Sequence, residues 1–463
     1  MPQEGKPMLT RRSFLRRSLL ASGAVLALMP ALQACGQPPA ATPTSAPSGA
    51  PAAQPTTAPT KAPAAAPTQA PATPKPGGAQ TTVSFWSGTD PIVKSVLEEQ
   101  LIPKFQNENP DIKVEATLLQ WPEYFQKVTV AFTGGTGPEV VGSGYGQLGS
   151  MIGNKWMQPI DDAIKGWSDL SDFDAYALDS GKKDGKRYAV LLPAVYCFNY
   201  RQDYYKEVGL DPTKPAKNWA ELEDYAKKLT KMEGGKVVRA GMDVPIKNGE
   251  QSFASMAFTH GLKNMWDEGG LALYDGPEAI ETMEFLLKLM HEDKVTVPSD
   301  QQAATGTAFQ SGLAGQGYMQ SQLYATVEQA APGALGVAVP PANPDTRALV
   351  LGTFYGLGAK VKNMDAATKL LKFLCSSDSI WALYKGAGFQ PPRKSLHDKF
   401  AQDKPYNATM TKTLENAVGW PIFPTFLQAR QIIITQLEAI YLKQVTPAQG
   451  FKQAAEETKK LLG

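Results

Sequence analysis

The sequence has few of the residues that build metal sites. Its 463 residues include three cysteines and three histidines. The histidines lie far apart, and none belongs to an HxxxH or CxxC pattern. Zinc sites usually take their ligands from such closely spaced pairs. The composition therefore argues against a metal site built from histidine and cysteine, and we expect no cofactor.

Two of the three cysteines, Cys197 and Cys375, follow residue 80. An oxidising compartment would allow them to pair. Cys375 directly follows the largely apolar run Leu370–Leu374, which has the pattern of a helix. We therefore favour a buried, unreactive thiol at Cys375 and leave a disulfide with Cys197 as the alternative.

The chain also lacks a strong net charge. It has 46 Lys and Arg residues against 44 Asp and Glu residues, a formal net charge of +2. The first 34 residues hold five of the basic residues and one acidic residue, so the remainder carries a net charge of −2. Such a balance provides no electrostatic footprint for nucleic acid. We expect no nucleic-acid partner.

No apolar run is long enough to remain as a membrane-spanning helix. The candidate, Leu19–Leu32, has about 14 residues, against the ~20 that cross a bilayer. Basic residues precede it, and Thr10–Arg16 is similar to a twin-arginine export motif. This pattern predicts a signal peptide over residues 1–34.

The leader ends at Leu32–Cys35, which is similar to a bacterial lipobox. That similarity predicts cleavage before Cys35 and a lipid on its thiol. Residues 35–80 are rich in Pro, Ala and Thr and cannot bury enough apolar surface to fold. We expect a disordered tether that holds the folded domain within roughly 140 Å of the membrane. The domain would be extracytoplasmic, in the periplasm or on the outer face of the cytoplasmic membrane.

From residue 81 the pattern becomes that of an α/β domain. Thr81–Trp86, Ile112–Leu119 and Glu139–Val141 have strand composition, helices follow the first two, and Gly142–Gly149 has the composition of a loop. This alternation is typical of a parallel sheet. Ligands of such sheets bind beyond the carboxyl ends of the strands. The loops after these three strands are therefore the first place to look for a site.

The later segments continue the alternation. Arg187–Tyr200 is a strand-rich run that Pro193 interrupts. Helix starts are marked by a capping residue or by a proline in the first turn. In this chain such residues predict helix starts at Asn218, Pro277, Asn363, Pro424 and Pro447.

Several segments, taken together and in order, resemble the family 1 extracellular solute-binding proteins of ABC importers, the maltose-binding-protein-like group. These segments are Val83–Trp86, Phe105–Val114, Gly134–Val141, Asp184–Tyr188 with Pro193, Phe309–Gln316 and Pro447–Lys452. The resemblance covers residues 81–463. The chain departs from the family pattern at Tyr200–Gln202 and near Tyr324.

The resemblance implies an α/β, two-lobed periplasmic-binding-protein fold (type II-like) with a ligand cleft between the lobes. Three crossings are expected near Pro193, Gly352 and Gly388. Lobe 1 would comprise about 81–193 and 353–388, and lobe 2 about 194–352 and 389–463. The implied function is that of a monomeric receptor, not an enzyme, that binds a small solute and delivers it to the transmembrane subunits of an ABC permease. The expected solute is a mono- or oligosaccharide.

Sugars are recognised by aromatic faces together with a few polar groups in a concave site. The candidate ligand-binding residues, chosen on this basis and on the resemblance, are Trp86, Ser87, Asp90, Trp121, Ser143, Tyr145, Tyr196, Tyr324, Phe354, Tyr355 and Trp420. Each has an alternative structural role. Trp86 and Trp420 would serve equally as packing residues, Asp90 as a helix cap, and Trp121 as a hydrophobic staple.

Two other functions remain open from sequence alone. A secreted glycoside hydrolase needs only two carboxylates, which distant loops could supply. Against it, the chain has no G-x-S-x-G motif, no phosphate-binding loop and no histidine placed to activate a nucleophile. A receptor that reports to a sensor kinase, or one that binds a non-sugar solute, would share every feature described above.

Overall fold

A computed structural model of the chain describes residues 80–247, 249–298 and 307–463. The predicted signal peptide, the lipidated Cys35 and the tether lie outside these residues. Within them, every helix is too short or too polar to traverse a lipid bilayer. No group of His, Cys, Asp and Glu side chains in the described part is arranged to hold a metal ion.

The sheet begins with three parallel strands, as the sequence predicts. β1 (Thr81–Gly88) pairs with β2 (Ile112–Leu119) on one side and with β3 (Val140–Ser143) on the other. Alternate residues of β1, Val83 and Phe85, are fully buried, which is the pattern of a strand with one face in a core. The three strands therefore end at the same edge of the sheet.

Two long antiparallel strands, β7 (Ala189–Arg201) and β12 (Ala348–Gly358), join this region to the rest of the sheet. The predicted interruption at Pro193 is wrong, because β7 runs through it without a break. Pro193 lies opposite Gly352, whose φ is +141°. A Cβ on Gly352 would stand 2.0 Å from the carbonyl oxygen of Leu192, so only glycine permits this close pairing.

The order of paired strands in this sheet is β10–β7–β12–β3–β1–β2. This sheet also contains β4 (Met157–Gln158), β11 (Leu335–Ala338) and β13 (Ala417–Val418), and its first strand in that order, β10, is Gln316–Gln320. Two separate two-stranded sheets are formed by β5 (Lys182–Lys183) with β6 (Lys186–Arg187) and by β8 (Lys231–Glu233) with β9 (Lys236–Arg239). β3 and β4 pair with β12 near its carboxyl end, whereas β10 and β11 pair with β7 near its own carboxyl end.

Helices connect most of the strands and are named here in chain order. The first group is α1 (Pro91–Ser95), α2 (Ile102–Glu108), α3 (Trp121–Thr133), α4 (Tyr145–Gly153), α5 (Asp161–Ile164), α6 (Ala175–Asp179), α7 (Gln202–Glu207) and α8 (Trp219–Leu229). The second group is α9 (Glu250–Thr259), α10 (Pro277–Leu287), α11 (Tyr324–Ala330), α12 (Met364–Leu374), α13 (Ser377–Ala387), α14 (Lys394–Asp403), α15 (Asn407–Glu415), α16 (Phe426–Tyr441) and α17 (Pro447–Lys460). A π-turn joins α1 to α2.

Three of the predicted helix starts carry a side-chain cap, whereas the helix predicted from Pro424 begins at Phe426 without one. The side chains of Asn218, Asn363 and Thr446 each accept a hydrogen bond from the backbone N–H three residues later. Such a bond satisfies one of the free donors at a helix start. Pro277 opens α10 in the first turn, as predicted.

The prediction of a loop over Gly142–Gly149 is wrong, because α4 occupies its second half. The side chain of Gln147 accepts a hydrogen bond from the N–H of Gly144 at 3.1 Å and caps the helix start. A Cβ on Gly149 would stand 2.3 Å from the carbonyl oxygen of Phe423. The glycines that suggested a loop instead allow the helix to pack closely against another segment.

Cys197 and Cys375 are both free thiols and fully buried. Burial raises the pKa of Cys197 to about 11 and that of Cys375 to about 12. Because the thiolate is the reactive form, both side chains behave as inert core residues.

Candidate functional site

The loops that follow β1, β2 and β3 begin side by side. Gly88 at the end of β1 pairs with Leu119 at the end of β2. Trp121 starts α3 directly after β2, and Tyr145 starts α4 after β3. These aromatic residues therefore stand at the carboxyl edge of the parallel strands, where ligands of such sheets bind.

The position of Trp121 depends on Gly88. A Cβ on Gly88 would stand 2.3 Å from Cε3 of the indole, so the ring lies directly over the glycine backbone. Trp121 also packs edge-on against Tyr124 and at a tilt against Phe125, with ring centroids 5.9 and 5.8 Å apart. Because residue 88 has no side chain, the aromatic cluster can pack at the edge of the strands.

A cavity of about 440 Å³ lies in front of these loops, and we call it the cleft. Its volume is within the range of small-molecule sites. One wall comes from the loops after β2 and β3, and the opposite wall from α9, β10, the turn after it, β12 and α16. The lining residues are Trp121, Pro122, Phe125, Gly144, Tyr145, Gly146, Gln147, Gln251, Gln320, Gln322, Leu351, Gly352, Trp420, Phe426, Leu427 and Arg430.

Arg430 is the single charged residue among those lining the cleft, and it is already paired. Its Nε and Nη2 donate to Oε1 of Glu250 at 2.9 and 2.6 Å. Glu250 is fully buried, and its Oε2 has no hydrogen-bond partner among the described residues. Burial raises the pKa of Glu250, while Arg430 acts in the opposite direction. The cleft therefore presents a guanidinium whose charge a buried carboxylate compensates.

Two of the predicted site residues form hydrogen bonds with glutamines that line the cleft. Gln322 Nε2 donates to Oδ2 of Asp90 at 2.7 Å, and the Tyr196 hydroxyl donates to Oε1 of Gln251. Burial raises the pKa of Asp90, and the bond from Gln322 partly offsets this. Asp90 makes no side-chain cap to α1, so its carboxylate faces the cleft glutamines instead of the helix start.

Tyr145 lies against the loop that carries Trp420. A Cβ on Gly419 would stand 2.5 Å from the Tyr145 hydroxyl oxygen, so the loop before α16 lies directly against this ring. Phe354 packs edge-on against Tyr145 at a centroid distance of 4.7 Å. Trp420 is 5% exposed and packs against Phe426 and Trp266.

The predicted site residues fall into three groups in the structure. Trp121, Tyr145 and Trp420 line the cleft. Asp90 and Tyr196 bond to lining glutamines, and Phe354 supports Tyr145 from behind. The remaining five do not line it; they are Trp86, Ser87, Ser143, Tyr324 and Tyr355.

Those five side chains have other surroundings. Trp86 is half-buried against the core, and Tyr355 packs against Phe85. Tyr324 packs edge-on against Tyr406. Ser87 donates a hydrogen bond to the carbonyl of Gly88, and Ser143 is fully buried.

Sequence reasoning missed the glutamines and Arg430. Gln251 and Arg430 lie on helices, and Gln320 ends a strand. Their local patterns are those of ordinary amphipathic elements, so no motif singled them out. The only available signal was the concentration of glutamine between residues 310 and 322.

Comparison with known proteins agrees with this architecture. Residues 100–409 match the family model described as bacterial extracellular solute-binding protein. The sn-glycerol-3-phosphate-binding periplasmic protein UgpB of Escherichia coli K12 is 24% identical over 424 residues, which is 83% of this chain and 94% of that protein.

Two solved structures share the fold. An ABC transporter solute-binding protein from Thermotoga lettingae, bound with α-D-tagatose, has a TM-score of 0.75 and 21% identity; the match covers 83% of this chain and 100% of that one. Maltose-bound MalE3 of Thermotoga maritima has a TM-score of 0.71 and 24% identity, over 82% and 100% of the two chains. The chain therefore belongs to the family of bacterial extracellular solute-binding proteins.

Proposed function

We propose that this protein is an extracytoplasmic receptor that binds a neutral carbohydrate in the cleft and delivers it to an ABC permease. The observation that carries the proposal is the pairing of Arg430 with Glu250. It leaves the cleft without an uncompensated cation, while Trp121, Phe125, Tyr145 and Trp420 supply aromatic walls.

The charge pairing favours a neutral solute over a phosphorylated one. A phosphate group is normally held by arginine or lysine side chains whose charge is free to act on it. Here the buried carboxylate of Glu250 would repel the phosphate from the same side. The glutamine amides instead donate and accept hydrogen bonds without charge, which suits hydroxyl groups. UgpB is named for glycerol 3-phosphate and the two solved relatives hold sugars, so the relatives leave both solute classes open.

The finer organisation of the receptor is part of the proposal. Lobe 1 would comprise about 81–193 and 353–388, and lobe 2 about 194–352 and 389–463. The cleft would close by a movement of the lobes about β7 and β12, a common motion around ligands. A twin-arginine signal peptide, a lipid on Cys35 and the tether would keep a monomeric receptor at the membrane and close to the permease.

The test is a titration of the purified protein with neutral mono- and oligosaccharides and with glycerol 3-phosphate. Tryptophan fluorescence reports binding, because Trp121 and Trp420 line the cleft. Each mixture is then analysed by mass spectrometry. We expect saturable binding of a neutral sugar, recovered intact, and weaker binding of glycerol 3-phosphate.

Two variants sharpen this test. Trp121→Ala removes an aromatic wall and should weaken sugar binding. Trp381→Ala changes a half-buried tryptophan that lies outside the cleft lining and should leave it unchanged. Tighter binding of glycerol 3-phosphate than of any sugar would contradict the proposed solute class, and a sugar recovered cleaved would replace the receptor with a hydrolase.

A further inference from the structure

Two glutamine side chains of the cleft are each held by one neighbouring residue. Gln251 and Gln322 line the cleft, whereas Tyr196 and Asp90 do not. Gln322 Nε2 donates a hydrogen bond to Oδ2 of Asp90 at 2.7 Å, and Oε1 of Gln251 accepts one from the Tyr196 hydroxyl. One atom of each amide is therefore engaged by a residue that does not itself line the cleft.

The chemistry of Asp90 fixes the orientation of Gln322. An ionised carboxylate accepts hydrogen bonds but has no proton to donate. Only the NH2 end of the amide can therefore bond to it, although the two ends of an amide have nearly the same shape. Oε1 of Gln322 has no hydrogen-bond partner among the described residues and is not fully buried. Gln322 therefore presents an acceptor to a solute.

Tyr196 fixes Gln251 in the opposite sense. Burial raises the pKa of Tyr196 and the carboxylate of Glu250 adds to this, so the hydroxyl keeps its proton. Gln251 is the one partner of this hydroxyl in the part of the chain that the structure describes, so its Oε1 receives the proton. Nε2 of Gln251 has no partner in the same part and is not fully buried. Gln251 therefore presents donors to a solute.

The two oriented amides lie in the same part of the cleft. Tyr196 of β7 is directly opposite Gln320 of β10 in the antiparallel ladder, and Gln322 follows two residues later. Directly opposed residues of such a ladder have Cα atoms only about 5 Å apart. A solute beside these residues therefore meets a donor from Gln251 and an acceptor from Gln322, each with a fixed orientation.

We propose that Asp90 and Tyr196 are positioning residues, which make Gln251 donate to one oxygen of the solute and Gln322 accept from a second group. The proposal rests on the proposed function, because it concerns the same cleft. It narrows the class of solute, since the group that faces Gln322 must carry its own proton and an ether oxygen does not. Because both amides are oriented before the solute arrives, less side-chain entropy is lost on binding.

The first test needs no solute. Glutamine labelled with ¹⁵N in its side-chain amide gives NH2 signals in the NMR spectrum, and Gln251→Ala and Gln322→Ala assign two of them. At about pH 8, well above the usual pKa of a carboxyl group, Asp90→Asn should move the NH2 signal of Gln322, because its charged acceptor becomes neutral. The signal of Gln251 should stay in place. A Gln322 signal that does not respond to Asp90→Asn would overturn the proposal.

The second test adds maltose, a neutral disaccharide, to the same labelled protein. Maltose should move the NH2 signal of Gln251, because that group then donates to a sugar oxygen. The signal of Gln322 should not move towards its position in Asp90→Asn, because its NH2 stays bonded to the carboxylate. Movement to that position would show that the amide leaves Asp90 to bind the sugar, which contradicts a positioning role. If maltose moves neither signal, the result counts against the proposed carbohydrate, while the orientation is still decided without sugar.

Two variants measure what the fixed orientation contributes to affinity. Tyr196→Phe keeps the ring and removes the hydroxyl, and Asp90→Asn keeps the shape but lets either end of its glutamine partner bond. Each should weaken maltose binding about threefold to tenfold, which is the effect of about one hydrogen bond. Melting temperatures show whether the variants are folded. Unchanged affinity in both folded variants would overturn the proposal.

Tyr205→Phe is the matched control for these variants. The Tyr205 hydroxyl also donates to a glutamine, Oε1 of Gln316 at 3.1 Å, but neither residue lines the cleft. Its maltose affinity and the NH2 signals of Gln251 and Gln322 should equal those of the unmodified protein. An equal loss of affinity in Tyr205→Phe would show a general effect of removing a buried hydroxyl and would contradict the specific role of Tyr196.

Discussion

The substitution Glu250→Gln tests whether the buried carboxylate sets the charge selectivity of the cleft. The change preserves the shape of the side chain and removes its negative charge. Arg430, which donates two hydrogen bonds to one oxygen of Glu250, would then face the cleft as an uncompensated cation. We expect the preference of the cleft to shift from neutral sugars towards phosphorylated ones.

The expected size of the shift follows from the geometry. Arg430 Nη2 lies 2.6 Å from Glu250 Oε1. A phosphate oxygen bonded to the same guanidinium would lie about 5.5 Å from that carboxylate, where two unit charges interact by about 3 kcal/mol at an effective dielectric constant of ~20. The side chain of Arg430 is 23% exposed, so solvent screens part of this repulsion. The affinity for glycerol 3-phosphate, relative to that for the neutral sugar, should therefore rise about tenfold to a hundredfold.

The substitution also destabilises the fold, because a partly buried cation loses its counter-charge. Removing one partner of a fully buried pair costs about 3–5 kcal/mol, and the exposed part of Arg430 should reduce this to about 2 kcal/mol. Urea unfolding measures this loss and shows whether the variant is folded at the temperature of the binding assay.

The assay is a pair of fluorescence titrations, with the neutral sugar and with glycerol 3-phosphate, at one salt concentration. Glu223→Gln is the matched control, because Glu223 pairs with Lys227 and Lys288 and does not line the cleft. Its ratio of affinities should equal that of the unmodified protein. A folded Glu250→Gln variant whose ratio changes by less than about twofold would refute the electrostatic account, since the expected change is at least tenfold.

Three further substitutions test other parts of the structure. Gly88→Ala should displace the Trp121 ring and lower sugar affinity about twofold to tenfold, measured by fluorescence titration, while stability changes little; unchanged affinity would remove Trp121 from the site. Gly352→Ala places a Cβ 2.0 Å from the carbonyl oxygen of Leu192 and should cost about 3 kcal/mol or more in urea unfolding; a loss below about 1 kcal/mol would show that the two long strands separate easily. Burial raises the pKa of Asp243 to about 6. The folded state therefore holds a proton that the unfolded state releases, and the stability from Asp243 is present below about pH 4 and lost as the pH rises through about 6. The free energy of unfolding, measured relative to that of Asp243→Asn, should fall by up to about 3 kcal/mol over this range; a constant difference would contradict the raised pKa.

Local features of the chain were predictable wherever the interacting residues are neighbours in sequence. The caps at Asn218 and Asn363 involve residues three positions apart, so they are visible in the sequence and confirmed in the structure. The loop predicted before residue 150 failed for the opposite reason. The glycines of α4 are explained by contacts with Phe423 and Pro424, about 270 residues away.

The candidate site shows the same division. Trp121 and Tyr145 were predictable because they directly follow strands whose carboxyl ends meet at one edge. Tyr355 and Tyr324 were chosen on the resemblance alone, and they do not line the cleft; Tyr355 packs against Phe85 and Tyr324 against Tyr406. Tyr355 is a strand residue, and the face on which its side chain lies depends on pairing with distant strands. Tyr324 begins a helix, and its direction depends on how that helix packs.

The sequence by itself determined the alternation of strands and helices, the order of the family's segments and the edge of the sheet where a ligand would bind. These depend on periodicity, capping and chain order, which are local. Only the tertiary structure decided the charge of the cleft and which glutamines line it. Glu250 and Arg430 are 180 residues apart, and Gln322 and Asp90, which form a hydrogen bond, are 232 residues apart. Compensation of a charge and burial of an unpartnered polar atom are properties of neighbours in space, and a linear pattern does not contain them.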